Sequence, residues 1–211
     1  GMGTTLLSAV EVIGRIPDAY FQAVGSGTGA IAAWENAARL AADGRFGENK
    51  MRIYASQNAP FTIMYDSWKA HSRELVPMTP EEGRQKAEVI LGKVLSNRKP
   101  PYSLAGGLFD VLEKSGGDMF KVSNDEIVSW VVKYFSLEGY DLFPASACAV
   151  SSLKQALDAG IVKHDETVML NVTGGGMLGA TRKGFILKEP DLILSPDLPA
   201  EEIIAAVDKL F

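Results

Sequence analysis

Cysteine and histidine are nearly missing from this chain: one cysteine, Cys148, and two histidines, His71 and His164, serve 211 residues. A lone cysteine excludes an internal disulfide and fits a reducing, cytoplasmic compartment. A hydrolytic triad needs a histidine that can reach a nucleophile. His71 follows an amphipathic helical pattern and His164 sits in a charged turn, so both read as surface residues. No His/Cys/Asp/Glu group has the spacing of a transition-metal site. Cys148, flanked by alanines, reads as a small core residue. Basic clusters are scarce too. No Lys/Arg run exceeds a pair and the net charge is −5, which argues against nucleic acid or an anionic membrane surface as partner. No apolar run approaches the ~20 residues of a membrane span, and the start lacks a signal-peptide pattern. Gly1 ahead of Met2 reads as a remnant of tag removal.

Glycine, by contrast, is plentiful and placed. Tyr20-Phe-Gln-Ala-Val-Gly25-Ser-Gly-Thr-Gly29-Ala-Ile-Ala-Ala-Trp34-Glu35 opens as a short buried strand, passes through three glycines in five residues, and continues as an alanine-rich helix over about 28–42. Strand, glycine turn and helix start in that order make an anion cradle. The first-turn N–H groups have no intrahelical partner, and the helix dipole favours negative charge there. Glycine lets the backbone come close to the anion, and Ser26 and Thr28 offer hydroxyls to the helix end or to phosphate oxygens. No Lys-Ser/Thr pair follows the last glycine, as the Walker pattern requires. Ile31 and Ala32 stand where a dinucleotide fingerprint ends in glycine. Spacing alone leaves a phosphate cradle and an empty strand-to-helix turn both open.

The rest of the chain alternates strands and helices. Helical patterns cover 4–13, 61–70, 81–95, 104–114, 123–138, 144–159 and 200–211, the first capped by a threonine. Strand patterns cover 51–55, 118–122 and 166–172, with a short edge strand at 185–187. Gly106-Gly107 inside a helical pattern suggests a close backbone approach. The small residues of 144–150 suggest tight helix packing on a sheet. The alternation predicts an α/β fold, a three-layer, open and mainly parallel sheet flanked by helices. In such sheets ligands sit beyond the carboxyl ends of the strands. Three polar or glycine-rich turns are expected there: 25–29, Ser56-Gln57-Asn58, and 173–176. Their convergence favours a small-molecule phosphate site. Trp34, Trp68 and Trp130 read as packing residues. Nothing in the chain performs chemistry unaided, so a bound cofactor would have to supply it.

The stretch from Tyr20 to Glu35 resembles the threonine synthase and cysteate synthase branch of fold-type II pyridoxal-phosphate (PLP) enzymes. Ser56-Gln57-Asn58-Ala-Pro-Phe61, Arg98-Lys-Pro-Pro-Tyr-Ser103 with Gly106-Gly-Leu-Phe109, Pro144-Ala-Ser-Ala147 and Thr173-Gly174-Gly175-Gly176 match in family order. The last segment, continuing Met177-Leu-Gly179, places the chain nearer the cysteate synthase side. The resemblance implies that Gly25, Ser26, Gly27, Thr28 and Gly29 hold the cofactor phosphate and that Thr173 meets the pyridine nitrogen. It puts Asn58, Arg98, Tyr102 and Ser103 on the substrate side. It also implies exchange of the phosphate of O-phosphoserine for sulfite through an aminoacrylate, giving cysteate for coenzyme M biosynthesis.

One departure stands out. The family's Schiff-base lysine lies in a Ser/Thr-Phe-Lys-Asp/Asn-Arg-like segment, and no such segment occurs here. The expectation is therefore that residues 1–211 form a single large cofactor-binding domain, the incomplete C-terminal half of a tryptophan synthase β-like enzyme, unable to catalyse alone. Expected partners are a small-molecule substrate and the lysine-bearing half or a second copy, giving a homo-oligomer. A threonine synthase-type fragment and a non-catalytic phosphate-ligand-binding domain are the alternatives.

Overall fold

The computed structural model of the protein describes residues 1–185 and 188–211. It divides into two compact units, Gly1–Met177 and Leu178–Phe211. The first is built on four parallel strands, β1 (Ala19–Ala23), β2 (Arg52–Asn58), β3 (Asp118–Val122) and β4 (Val168–Leu170), in the order β3-β2-β1-β4. Successive side chains alternate between faces. Tyr20, Ile53, Ala55 and Met119 join one core cluster, whereas Phe21, Tyr54 and Phe120 join another, with the Phe21 and Tyr54 rings stacked at 4.7 Å. Burial on both faces accounts for strands that read as apolar runs rather than strict alternations.

On the first face lie α1 (Thr4–Ile13), α2 (Thr28–Asp43) and α3 (Ile63–Lys69). After α4 (Pro80–Val89) comes α5 (Leu108–Ser115), which returns to that face. After α6 (Asn124–Glu138), α7 (Pro144–Asp158) covers the second face. Its buried run from Ala145 to Ser152 lets the helix backbone approach the sheet, as its small residues suggested, and α6 packs on it through Ile127. The result is a three-layer α/β unit. α6 starts in a capping box, Ser123 with Glu126. Burial raises the Glu126 pKa, but hydrogen bonds from the Ser123 backbone and hydroxyl, Gln155 and Ser151 outweigh it and hold the carboxyl below its usual range. Then come α8 (Met177–Arg182) and α9 (Ala200–Asp208), the latter with no buried residue.

Several boundaries differ from the sequence pattern. The helix expected over 81–95 ends at Val89, because Ile90 turns extended. Residues Lys93–Leu95 form a separate 3-10 turn, and Lys93 Nζ donates to the carbonyls of Ala87 and Glu88. The helix expected from Leu104 begins only at Leu108, after Gly106 takes φ 74°. Gly107 does mark a close approach, since a Cβ there would lie 2.5 Å from the Pro101 carbonyl oxygen. Gly3, not a threonine, caps α1. The segment over 166–172 keeps only three strand residues. Ser56, Gln57 and Asn58 are no turn; they complete β2 and are fully buried. The edge strand expected at 185–187 includes Ile186 and Leu187, which lie outside the described residues.

Candidate functional site

The strand order itself selects a place. From β1 the chain lays β2 and then β3 to one side, and β4 joins on the other side of β1. The crevice beyond the carboxyl ends of β1 and β4 is thus the switch point at which open α/β sheets bind ligands. Residues 24–29 leave β1 there, and residues 171–176 leave β4 beside them.

The glycines of the first loop answer to specific neighbours. A Cβ on Gly25 would stand 2.7 Å from the Val94 carbonyl oxygen. Gly27 adopts φ 82° as the N-cap of α2, against Leu108. A Cβ on Gly29 would meet the Gln22 amide at 2.7 Å. The Thr28 N–H donates to Ser26 Oγ at 3.4 Å; no acid occupies the first turn of α2, so its following N–H groups are offered to an anion. Ser26 Oγ and Thr28 Oγ1 lie 2.9 Å apart at the same mouth, where the sequence pattern placed hydroxyls for the helix end or for phosphate oxygens, and Thr28 Oγ1 also lies 3.1 Å from Met2 Sδ.

Beneath the cradle runs a part-buried polar chain that the pattern did not reveal. Asn171 Nδ2 donates to Tyr20 Oη at 2.6 Å, and Tyr20 Oη donates to Gln22 Oε1 at 2.8 Å. It ties β4 to β1 and sets the Gln22 amide under Gly29. Burial pushes the Tyr20 phenol up to about 12, partly offset by the Asn171 hydrogen bond. The available signal was polar Gln22 inside an apolar strand.

The facing wall is built from the loop after β4. Thr173 and Gly174 line a cavity of about 240 Å³ together with Phe143, Ala145, Ser146 and Val94. Val94 therefore serves both walls: its carbonyl backs Gly25, and it borders the Thr173 cavity. Ser146 holds the loop in both directions, donating to Gly174 O at 2.9 Å and accepting from Gly174 N at 3.0 Å. Phe143 N donates to Gly174 O at 3.2 Å, and Leu142 bridges Gly175. The matches at 144–147 and 173–176 are thus two sides of one clasp.

The four residues assigned to the substrate side part company. Asn58 is fully buried; its amide donates to Val122 O and Asn124 Oδ1 and accepts from Gly92 N. Tyr102 is a core residue, donating its hydroxyl to Ser72 O, with its pKa raised by burial. Both are structural ties in place of cavity walls. The Ser103 carbonyl accepts from Arg73 Nη1. Arg98 lines a separate open cleft.

Elsewhere, Cys148 is buried, and burial pushes its thiol up to about 12 despite a Ser56 hydrogen bond. His71 and His164 are exposed. Among the described residues no group of three or more His, Cys, Asp or Glu could hold a metal, and no helix is long and apolar enough to cross a membrane.

Comparison with known proteins places this geometry. Cysteate synthase of Methanosarcina acetivorans is 43% identical over 206 residues, covering 96% of this chain and 50% of its own length. Cysteate synthase of Methanoculleus marisnigri is 48% identical over 177 residues, 83% of this chain and 41% of its own. The chain thus spans about half the length of the curated relatives it matches. Among solved structures, threonine deaminase isoform 2 of Solanum lycopersicum superposes over 87% of this chain and 45% of its own, with a TM-score of 0.59 at 15% identity. Serine racemase of Dictyostelium discoideum gives 0.58 at 15% identity, over 83% and 49%. They show the same fold. The family described as pyridoxal-phosphate dependent enzyme matches residues 1–174. The chain belongs to the family of pyridoxal-phosphate dependent enzymes.

Proposed function

We propose that these residues are the phosphate- and pyridine-binding part of a PLP-dependent cysteate synthase, which exchanges the phosphate of O-phospho-L-serine for sulfite to give L-cysteate and phosphate. The observation that carries it is the shared wall: Val94 joins the glycine cradle after β1 to the Thr173 cavity after β4, in a chain 43% identical to a cysteate synthase. The donor set fits the cofactor at both ends. The first-turn amides of α2, with the hydroxyls of Ser26 and Thr28, suit a phosphate. The Thr173 hydroxyl suits an unprotonated ring nitrogen, a neutral partner that tempers electron withdrawal and favours elimination and replacement at Cβ. Bound there, PLP supplies the electron sink that loosens the substrate's Cα proton and its Cβ–O bond. The chain's own part is to fix the cofactor's two ends and to line the cavity with Phe143 and Ala145.

Among the described residues no lysine lines that cavity, and Lys93, next to Val94, spends its ammonium on two carbonyls of α4. The covalent lysine is therefore supplied by polypeptide other than these residues, which alone bind PLP weakly and turn over nothing. Exposed Val128, Val132 and Leu137 on α6, with the side of β4 left unpaired among the described residues, provide apolar surface and edge for that half or for a second copy. A clean monomer by light scattering would count against this pairing. The single reduced Cys148 supports a cytoplasmic setting.

The full-length protein is expected to release phosphate from O-phosphoserine only when sulfite is present. Release from O-phosphohomoserine instead would assign a threonine synthase activity and overturn the proposal. An imine absorbance band on adding PLP to residues 1–211 alone would show that one of the chain's own lysines carries the cofactor.

A further inference from the structure

Beside the cofactor crevice, across Val94, lies a second and larger cleft of about 750 Å³, walled by Val94, Pro80, Asn97, Arg98 and Lys99. Its charge is unusual for this molecule. The chain carries a net charge of −5, yet among the described residues the cleft is bordered by two adjacent cations and by no carboxylate. Neither cation has an acidic partner within 4 Å among the described residues. The nearby acid, Glu82, has its carboxylate turned to the backbone N–H and hydroxyl of Thr79, where it closes the cap of α4.

Arg98 is also seated. Gly83 sits inside α4, where glycine is a poor helix former. A Cβ there would stand 2.6 Å from Arg98 Cδ and 3.3 Å from its Cγ, so the missing side chain is the groove that takes the arginine stem. Among the described residues the guanidinium reaches only the Pro80 carbonyl, at 3.5 Å. The loop beneath is fixed by its own bonds: Asn97 Oδ1 accepts from Lys99 N at 2.9 Å, and Ser96 Oγ donates to Lys93 O at 2.7 Å. An arginine laid in a helix groove with its fork left for something else is the arrangement that recognises a phosphate or a like oxyanion.

We infer that this cleft is the oxyanion subsite of the reaction, with Arg98 as the principal ligand, Lys99 as a second cation and Gly83 as the residue that positions Arg98. The inference rests on the proposed function for the identity of the anion, either the phosphate ester of the amino-acid substrate or sulfite. It assigns to Arg98 alone, among the four residues that resemblance placed on the substrate side, a direct contact with substrate.

The test uses the full-length enzyme with PLP bound, so that the glycine cradle is filled and cannot take the probe. Inorganic phosphate and sulfite are titrated separately by calorimetry into the wild type, Arg98→Gln, Lys99→Gln and Gly83→Ala. Arg98→Gln is expected to weaken binding of at least one anion by about tenfold or more, as loss of a charge-assisted pair implies. Lys99→Gln is expected to weaken it less. Gly83→Ala keeps both charges but closes the groove, so it too weakens the anion, and melting separates this from unfolding. Arg98→Lys, with the charge and without the fork, recovers only part of the affinity. The KM values for O-phosphoserine and for sulfite then identify the source: the one that rises in Arg98→Gln names the anion held. Unchanged affinity for both anions in Arg98→Gln overturns the subsite. Failure of the functional reading looks different, namely a wild type without sulfite-dependent phosphate release that still loses anion binding on substitution.

Discussion

β1 lies between two strands and ends in a cradle whose neighbours are backbone and core: the Val94 carbonyl at Gly25, Leu108 at Gly27 and Gln22 at Gly29. β4 has one strand neighbour among the described residues, is half-buried throughout its three residues, and ends in an exposed Thr173. The two ends of one crevice are therefore held by different means. The β1 end, the phosphate end of the proposed site, is set by packing, which tolerates little displacement. The β4 end, the pyridine end of the proposed site, is set by part-buried hydrogen bonds from α7, chiefly those of Ser146. On the proposed reading, a cofactor is anchored rigidly by its phosphate and adjusted at its ring.

If packing sets the cradle, Gly25→Ala is its most damaging small change. The new Cβ would stand 2.7 Å from a backbone oxygen that cannot rotate away. Overpacking of this kind costs about 1–3 kcal/mol, and each kcal/mol lowers melting by roughly 2–4 °C in a chain of this size. PLP affinity of the full-length enzyme is expected to fall with it. A variant that melts and loads PLP like the wild type would mean that the cradle is as adjustable as the β4 end.

Tyr20→Phe tests the link between the two ends. Removing one hydroxyl leaves Gln22 Oε1 and Asn171 Nδ2 unpaired beneath the cradle, at a cost of about 1–3 kcal/mol. Alkaline unfolding reports the same buried groups. The Tyr20 phenol titrates near 12 in the folded chain and near 10 when unfolded, and the Cys148 thiol near 12 against 9. Folded values above unfolded ones mean stability that is complete below about pH 9 and is lost as pH climbs toward 12. Tyr20→Phe is expected to remove part of that slope, as read by denaturant titration at several pH values. An unchanged slope would show that the Tyr20 site is open to water.

Much of the β1 end was legible in the sequence, because a buried strand, a glycine turn and an alanine-rich helix are local patterns, and residues 118–122 and 124–138 were equally plain. What escaped depended on distant partners. Nothing in Ser56-Gln57-Asn58 distinguishes a polar turn from a buried strand end whose amides serve α3, β3 and the Gly92 loop. Tyr102 looked available until packing beneath Ser72 took it. The sequence of 166–172 is the most strand-like in the chain, yet only Val168–Leu170 pair, with β1, making the shortest strand among the described residues, so propensity does not set strand length.

Ser146→Ala is the mildest and the most selective of these tests. The hydroxyl both donates to and accepts from Gly174; Ser146 is buried but Gly174 is half-buried, so the stability loss is expected to be about 1 kcal/mol. Phe143 N–H and the Leu142–Gly175 bridge remain to hold the loop near its place. Thr173, one residue away, loses its fixed position, so the absorbance of bound PLP in the full-length enzyme should shift and kcat should fall while the phosphate end stays loaded. Gly25→Ala should do the reverse, lowering occupancy with little change in the spectrum of whatever remains bound. If Ser146→Ala instead lowers occupancy as much as Gly25→Ala does, the two ends act as one rigid unit, and the division between a packed phosphate end and a hydrogen-bonded ring end falls.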